Sequence, residues 1–465
     1  MAGIEKLREK LSLYLSTLSD SAQGLLLRSL EKSQRDGTSD AASDMILAAL
    51  NDILKENTPD IPLEKYAKKE FFRAAAVFTS GIDHVRKTQA CISPSSHDVI
   101  WAWVMRDIVT AEQKAKLQKA CNGLSDDELV KQGTALRDEL VPAISKYLKS
   151  VLNEMGGEQK IANHLGGVHV YHDLIDILAC GEQLSPLAPI LSRMPAQLSS
   201  WSTPEGEEIY KLVSKYTQQA PMKACWLFSA ISKRLSSQKL KIQLATKLGG
   251  SDDAIQVAAT VYAPAIVQVL ADMEANLAQF EKCLSQPSEF ETCLRHLSTW
   301  RSLAKYMDAE MDISVQCAWG KAITSMKTKL SELLETEIES TPGLVRKALR
   351  APKNGAQEFA DQNLLQDAER AVLLFHNAER MKDCIALNGP IGRIRKELDQ
   401  SFEILTTSLI ERTRLAVGSD AEICKVLGET AVIFAKNLFD DAYAAAFRRQ
   451  LKAAASVQEM RAAEA

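Results

Sequence analysis

Six apolar residues, Ile266, Leu270, Met273, Leu277, Phe280 and Leu284, follow one another at intervals of 4, 3, 4, 3 and 4 and stop short of Pro287. A strict alternation of threes and fours places every one of them on a single seam of an α-helix, and such a seam must be covered by another helix. A second stripe follows at once, through Phe290, Leu294, Leu297, Trp300, Ala304, Met307 and Met311, and a third through Val315, Trp319, Ile323, Met326, Leu330 and Leu333. Short connections make neighbouring helices antiparallel, so an up-down-up coiled bundle is expected. Past Pro342 to Gly355 the plan recurs. Leu365, Ala368, Val372, Phe375 and Ile385 form one stripe, Asn388-Gly389-Pro390 turns the chain, and Ile391, Ile394, Leu398, Phe402, Leu405 and Leu409 form the next. Ile423, Leu427, Val432, Phe434 and Leu438 supply the last.

Composition carries the same reading to the rest of the chain. Only 14 prolines and 21 glycines punctuate 465 residues, and aromatics make up 6%, which favours long helices over many short strands. The expected class is all-α, a multi-domain helical protein with long antiparallel coiled-coil-like bundles in its C-terminal half. Punctuation divides it into 1–157, an N-terminal helical domain; 158–250, a Pro/Gly-rich region of shorter helices; 251–340, the antiparallel bundle; 341–360, a basic linker; 361–440, a second bundle; and 441–465, an alanine-rich tail with little to bury that frays or docks. Five helix starts are marked by capping chemistry: Ser125 to Glu128, Ser288 to Glu291 and Ser419 to Glu422 as capping boxes, Thr203-Pro204-Glu205, and Ser251 to Asp253. The uncharged stretch Ala254 to Ala271 reads as a buried helix running into the seam rather than a membrane span.

Charge and cysteine usage narrow the partners. Lysine plus arginine total 56 against 60 acidic residues, a net charge of -4, so no global basic field exists to hold nucleic acid. Nine cysteines are scattered with no C-x-x-C pair, which points to buried thiols in a reducing compartment, and the charged first ten residues read neither as a signal peptide nor as a myristoylation site. The expected location is the cytoplasm.

Two local clusters are candidates for chemistry. His169, His172 and Asp176 stand at i, i+3 and i+7, so two imidazoles and a carboxylate share one helical face, an arrangement that suits zinc or another divalent metal although no cofactor is otherwise expected. Arg393, Arg395 and Lys396 follow the Gly389-Pro390 turn, and cations in a first turn oppose the helix dipole unless an anion or acidic partner offsets them. A second basic group, Arg346, Lys347, Arg350 and Lys353, is expected about 40 Å away if the helix after Asp361 separates the two at 1.5 Å per residue. No phosphate loop, nucleophile elbow, dinucleotide fingerprint or kinase set occurs. The first helix, with Ile4, Leu7, Leu11, Leu15 and Leu18 on one side, offers a membrane-surface alternative. The leading expectation is an interaction or scaffold protein that binds protein partners, a second copy of itself among them, with a metal-dependent enzyme using His169, His172 and Asp176 as the alternative.

Overall fold

The computed structural model describes residues 63–117, 126–350 and 361–464, with scattered positions between 11 and 49. Among the described residues there are eighteen α-helices and no strand, only four isolated bridges, so the all-α class holds. The chain divides into two compact units that do not follow chain order. One comprises Met1–Arg73 and Trp101–Ile161; the other comprises Ala74–Ile100 and Ala162–Ala465.

The first unit takes α1 (Leu63–Phe71), the end of α2 (Pro94–Trp103), α3 (Ala111–Leu117), α4 (Asp126–Leu152) and the start of α5 (Gly157–His164). Helix α1 lies against α4, and Gly133 lets them approach closely: a Cβ there would stand 3.2 Å from the Tyr66 carbonyl oxygen. Phe71, Phe72 and Trp101 pack edge-on beside it, and Trp101 Nε1 donates to Glu64 Oε1 at 3.0 Å. In the N-terminal segment Leu15 and Ala49 are buried with Leu11, Leu18, Leu26, Leu30 and Ile46 against them. That half of the proposed membrane-facing stripe is turned into an apolar cluster; Ile4 and Leu7 lie outside the described residues.

The second unit begins, after α2, with α6 (Val168–Arg193), which overturns the expectation of short helices in this region. It runs unbroken through Pro186 and Pro189. Each proline lacks the N–H that would bond the carbonyl four residues back, but both are exposed, as are Glu182 and Ser185, so the freed carbonyls face water. Next come α7 (Pro204–Gln219), α8 (Ala224–Ser232) and α9 (Gln238–Gly249). Thr203 caps α7 as expected, accepting from Gly206 N at 3.1 Å, and Gly250 closes α9 at φ +71°, a left-handed position that suits glycine.

The expected continuous helix from Ala254 is in fact two: α10 (Ala254–Ala258) and α11 (Ala263–Leu284), broken at the turn before Pro264. Helix α11 buries Ile266, Leu270, Met273, Leu277 and Phe280 and packs on α12 (Phe290–Glu310) and α13 (Ala318–Glu339). Caps here depart from expectation. Asp253, not Ser251, caps α10; Pro287–Glu289 forms a 3-10 turn and α12 starts at Phe290 with no side-chain cap; Ser125 lies outside the described residues.

Residues Thr341–Leu349, expected as linker, form α14, followed by α15 (Gln362–Glu379), α16 (Asn388–Leu415), α17 (Ser419–Leu438) and α18 (Asp441–Glu464). Ser419 lies within the first turn of α17 instead of capping it, and Asp420 pairs with Arg412. The alanine-rich tail docks as a helix on α16 and α17, burying Ala444, Phe447 and Ala454. Small residues allow this close packing: Leu451 Cδ1 sits 3.2 Å from where a Cβ on Gly428 would be.

Candidate functional site

The expected metal face does not assemble. His169 and His172 are exposed, and the His169 ring lies against Gly167, its atoms 2.7 and 2.8 Å from the position of a Cβ there. Asp176 instead accepts from Lys87 Nζ at 2.6 Å and from the backbone N–H of Ala90 at 3.1 Å. With its carboxylate engaged in this way, no group of three or more His, Cys, Asp or Glu among the described residues stands where it would hold a metal.

The contact of Asp176 with Lys87 leads to a buried polar network that lies wholly in the second unit. Residues 79–93 form a loop tied by Ser80 N–H to Ile92 O (2.8 Å), Ile92 N–H to Phe78 O (3.0 Å) and Cys91 N–H to Thr88 O (3.1 Å). Ala90, in the last of these turns, has φ +58°, the one positive value at a non-glycine among the described residues, a strain of about 1–2 kcal/mol.

Lys87 Nζ lies 2.8 Å from Asp173 Oδ1, 2.6 Å from Asp176 Oδ2 and 2.7 Å from the Cys91 carbonyl oxygen. Asp173 is fully buried; its Oδ2 accepts from Ser93 N–H at 3.2 Å and Ser96 Oγ at 2.6 Å, whereas Oδ1 is held by charge alone, without an aligned hydrogen bond. One ammonium facing two carboxylates cannot neutralise both. Burial drives the Asp176 carboxyl upward against the pull of Lys87, with Asp173 adding to the rise; for Lys87, burial would lower the amine, but the charges of Asp173 and Asp176 outweigh it and raise it.

His84 extends the network. Its Nε2 is 2.8 Å from Asp272 Oδ1 and its Nδ1 is 3.3 Å from Thr88 Oγ1. Burial alone would lower the imidazole, yet Asp272 and Cys91 outweigh burial and hold it up at about 9. Asp272 belongs to a polar stripe on α11, Gln268, Asp272 and Asn276, at successive i+4 steps. Gln268 Oε1 accepts from Lys241 Nζ at 3.3 Å, and Asn276 Oδ1 stands 2.9 Å from His296 Nδ1. Lys241 is 2% exposed and bonded to a neutral amide rather than a carboxylate, so burial pushes its amine down. Such a set of buried, mutually bonded titratable groups can hold and move protons.

Arg393 and Arg395, after Gly389, find their acids within the chain. Arg393 pairs with Glu339 at 2.9 Å; Arg395 pairs with Glu379 and Asp399, donates to the Leu438 carbonyl and covers the Phe439 ring. Lys396 is exposed, beside a shallow depression lined by Gly389, Gly392 and Arg393. The two basic clusters are neighbours rather than 40 Å apart, because α14 lies along α16 and Arg346 reaches Glu397 at 2.6 Å. Lys353 lies outside the described residues.

The second unit also carries an exposed apolar patch. Ile255 on α10 is 60% exposed and lines a pocket with Ala254, Ala258, Gln316, Cys317, Ala318 and the half-buried Trp319; Val315, 61% exposed and next to Gln316 in the chain, borders a separate depression with Lys321 and Lys329. Backbone bonds from Ala254 N–H to Asp312 O and from Asp312 N–H to Asp252 O, both 2.9 Å, bind the two segments together. The charged heart of α6 bears on one further property: Val168–Arg193 is the one helix among the described residues long and apolar enough to cross a membrane.

Against known proteins, no family model, curated protein or solved structure matches the chain.

Proposed function

We propose that the protein is a cytoplasmic helical scaffold that binds protein partners through the patch of Ile255, Val315 and Trp319. The observation that carries this reading is the combination of large exposed apolar side chains with a backbone fixed beneath them. Scattered apolar residues on a surface are ordinary, but an exposed Ile255 beside a mostly apolar pocket is where an apolar anchor of a partner loses water on docking. The two bridging bonds at Asp312 mean that little ordering entropy opposes such docking.

The reading is tested by cross-linking the full chain in cell extract and in isolation, beside Ile255→Asp and Val315→Asp. These substitutions alter exposed positions and leave the core intact, so folding is retained. A defined set of cross-linked proteins, or a dimer of the chain, that falls at least about tenfold in both variants supports the patch; equal cross-linking in all three proteins overturns it.

A further inference from the structure

Resting on the reading of the Ile255 pocket as a docking site, we infer that the partner segment it takes up is cationic: an aliphatic side chain seated in the pocket, with lysine or arginine a few residues from it. The pocket offers about 330 Å³, at the small end of ligand cavities and suited to one or two side chains. Ala254, Ile255, Ala258, Ala318 and Trp319 make its wall largely apolar, which selects the anchor and leaves its flanks open.

Charge identifies the flanks. Three acids stand on the α10 side of the pocket, Asp252, Asp253 and Asp312, and the backbone joins them there: Ala254 N–H donates to Asp312 O and Asp312 N–H to Asp252 O, both at 2.9 Å. A helix of five residues needs one cap, and Asp253 supplies it, its Oδ1 accepting from Ile255 N–H at 2.7 Å. Asp252 and Asp312 are left over. Both are exposed, and neither carboxylate has an ion pair or a hydrogen bond among the described residues. The cations of the region do not neutralise them: Lys239 is taken by Glu310 at 3.0 Å, and Lys321 lines the separate depression beside Val315. Unpaired carboxylates at the rim of an apolar pocket draw in a partner that carries positive charge and turn away one that carries negative charge.

Trp319 gives a second, independent reason. Its half-buried indole lines the pocket, and no ring or cation stacks on it among the described residues. The face of an indole is the strongest of the aromatic faces for an ammonium or guanidinium group and offers nothing to a carboxylate. Aromatic wall and acidic rim therefore favour the same sign of charge.

The full chain, fluorescently labelled, is titrated onto an array of short synthetic peptides with leucine or serine at the centre and lysine, glutamate or serine at the flanks, at ionic strengths of about 0.05 M and about 0.5 M. Peptides that combine leucine with lysine are expected to bind at least about tenfold more tightly than those that combine leucine with glutamate or serine with lysine, the advantage over glutamate shrinking at the higher salt. Asp252→Lys together with Asp312→Lys alters exposed side chains and leaves the bridging backbone bonds in place, and should turn the preference towards glutamate. Ile255→Ser should weaken every leucine peptide. Leucine peptides that bind through Ile255 equally well whatever their flanks, or better with glutamate in the unaltered chain, overturn the cationic partner and leave the docking pocket standing. Absence of any binding that depends on Ile255 overturns both.

Discussion

His84 Nε2 and Asp272 Oδ1 lie 2.8 Å apart although 188 positions separate them in the chain, and the imidazole of this pair is 1% exposed. The contact makes the fold lose stability as pH turns alkaline. Held up at about 9 against an ordinary 6.5, His84 binds its proton more tightly in the folded state. Its contribution is complete below pH 6.5 and is lost as pH rises through about 9; a shift of this size corresponds to about 3 kcal/mol at most. Urea denaturation at pH 6 and pH 9.5 should show that fall in the unaltered chain and a flatter response in His84→Gln.

Removing Asp173 should destabilise the second unit more than most core substitutions. Asp173→Ala leaves Lys87 paired with Asp176 and strips the acceptor from the buried Ser93 N–H and Ser96 Oγ, a loss of about 1–3 kcal/mol for each donor left unpaired. Adding Lys87→Met should deepen the loss, because Asp176 is then left without its counter-charge. Chemical denaturation of the two single variants and the double variant, read as a cycle, measures the coupling, and additive losses would contradict the network.

Lys241→Met should stabilise the protein. Burial depresses the amine in the folded state, so the unfolded chain binds the proton better and pulls the equilibrium its way below pH 10.5. The gain, about 1–3 kcal/mol, is therefore widest at neutral pH and closes as pH approaches 10.5. Adding Gln268→Leu removes the acceptor left without its donor. Denaturation midpoints at pH 7 and pH 10 check both the sign and the trend.

Gly428→Val should loosen α18. A side chain there drives against Leu451, at a cost of about 1–3 kcal/mol, and the damage is confined to the helix that docks on α17. Limited proteolysis should cut between 441 and 464 sooner in the variant, with the remaining fragment still resistant.

Helices were legible wherever one face is apolar, because a period of three to four residues is a local signal: Ile266 to Phe280 and the cap at Thr203 are where the sequence places them. Pro186 and Pro189 mislead because a proline breaks a helix only if the carbonyl it frees has nowhere to go, and exposure is a tertiary fact. The spacing of His169, His172 and Asp176 is likewise true of the helix and silent about Lys87, which captures the carboxylate from 89 positions away. The network of His84, Lys87, Asp173 and Asp272 had one local trace, the polar residues Gln268, Asp272 and Asn276 recurring every fourth position along α11. Their partners on three different segments leave no trace in spacing.

The long chain separation of His84 and Asp272 also sets a timetable. At the usual pace of synthesis, about 5–20 residues per second, the histidine leaves the ribosome roughly 10–40 s before its acid exists, and Lys87 also emerges ahead of Asp173. Until Asp173 and Asp176 are made, the loop of residues 79–93 has none of the counter-charges that hold it, and the strained turn at Ala90 has nothing to oppose its relaxation. Locking of this loop thus waits for segments made long after it, and a nascent-chain chaperone would meet that loop still open.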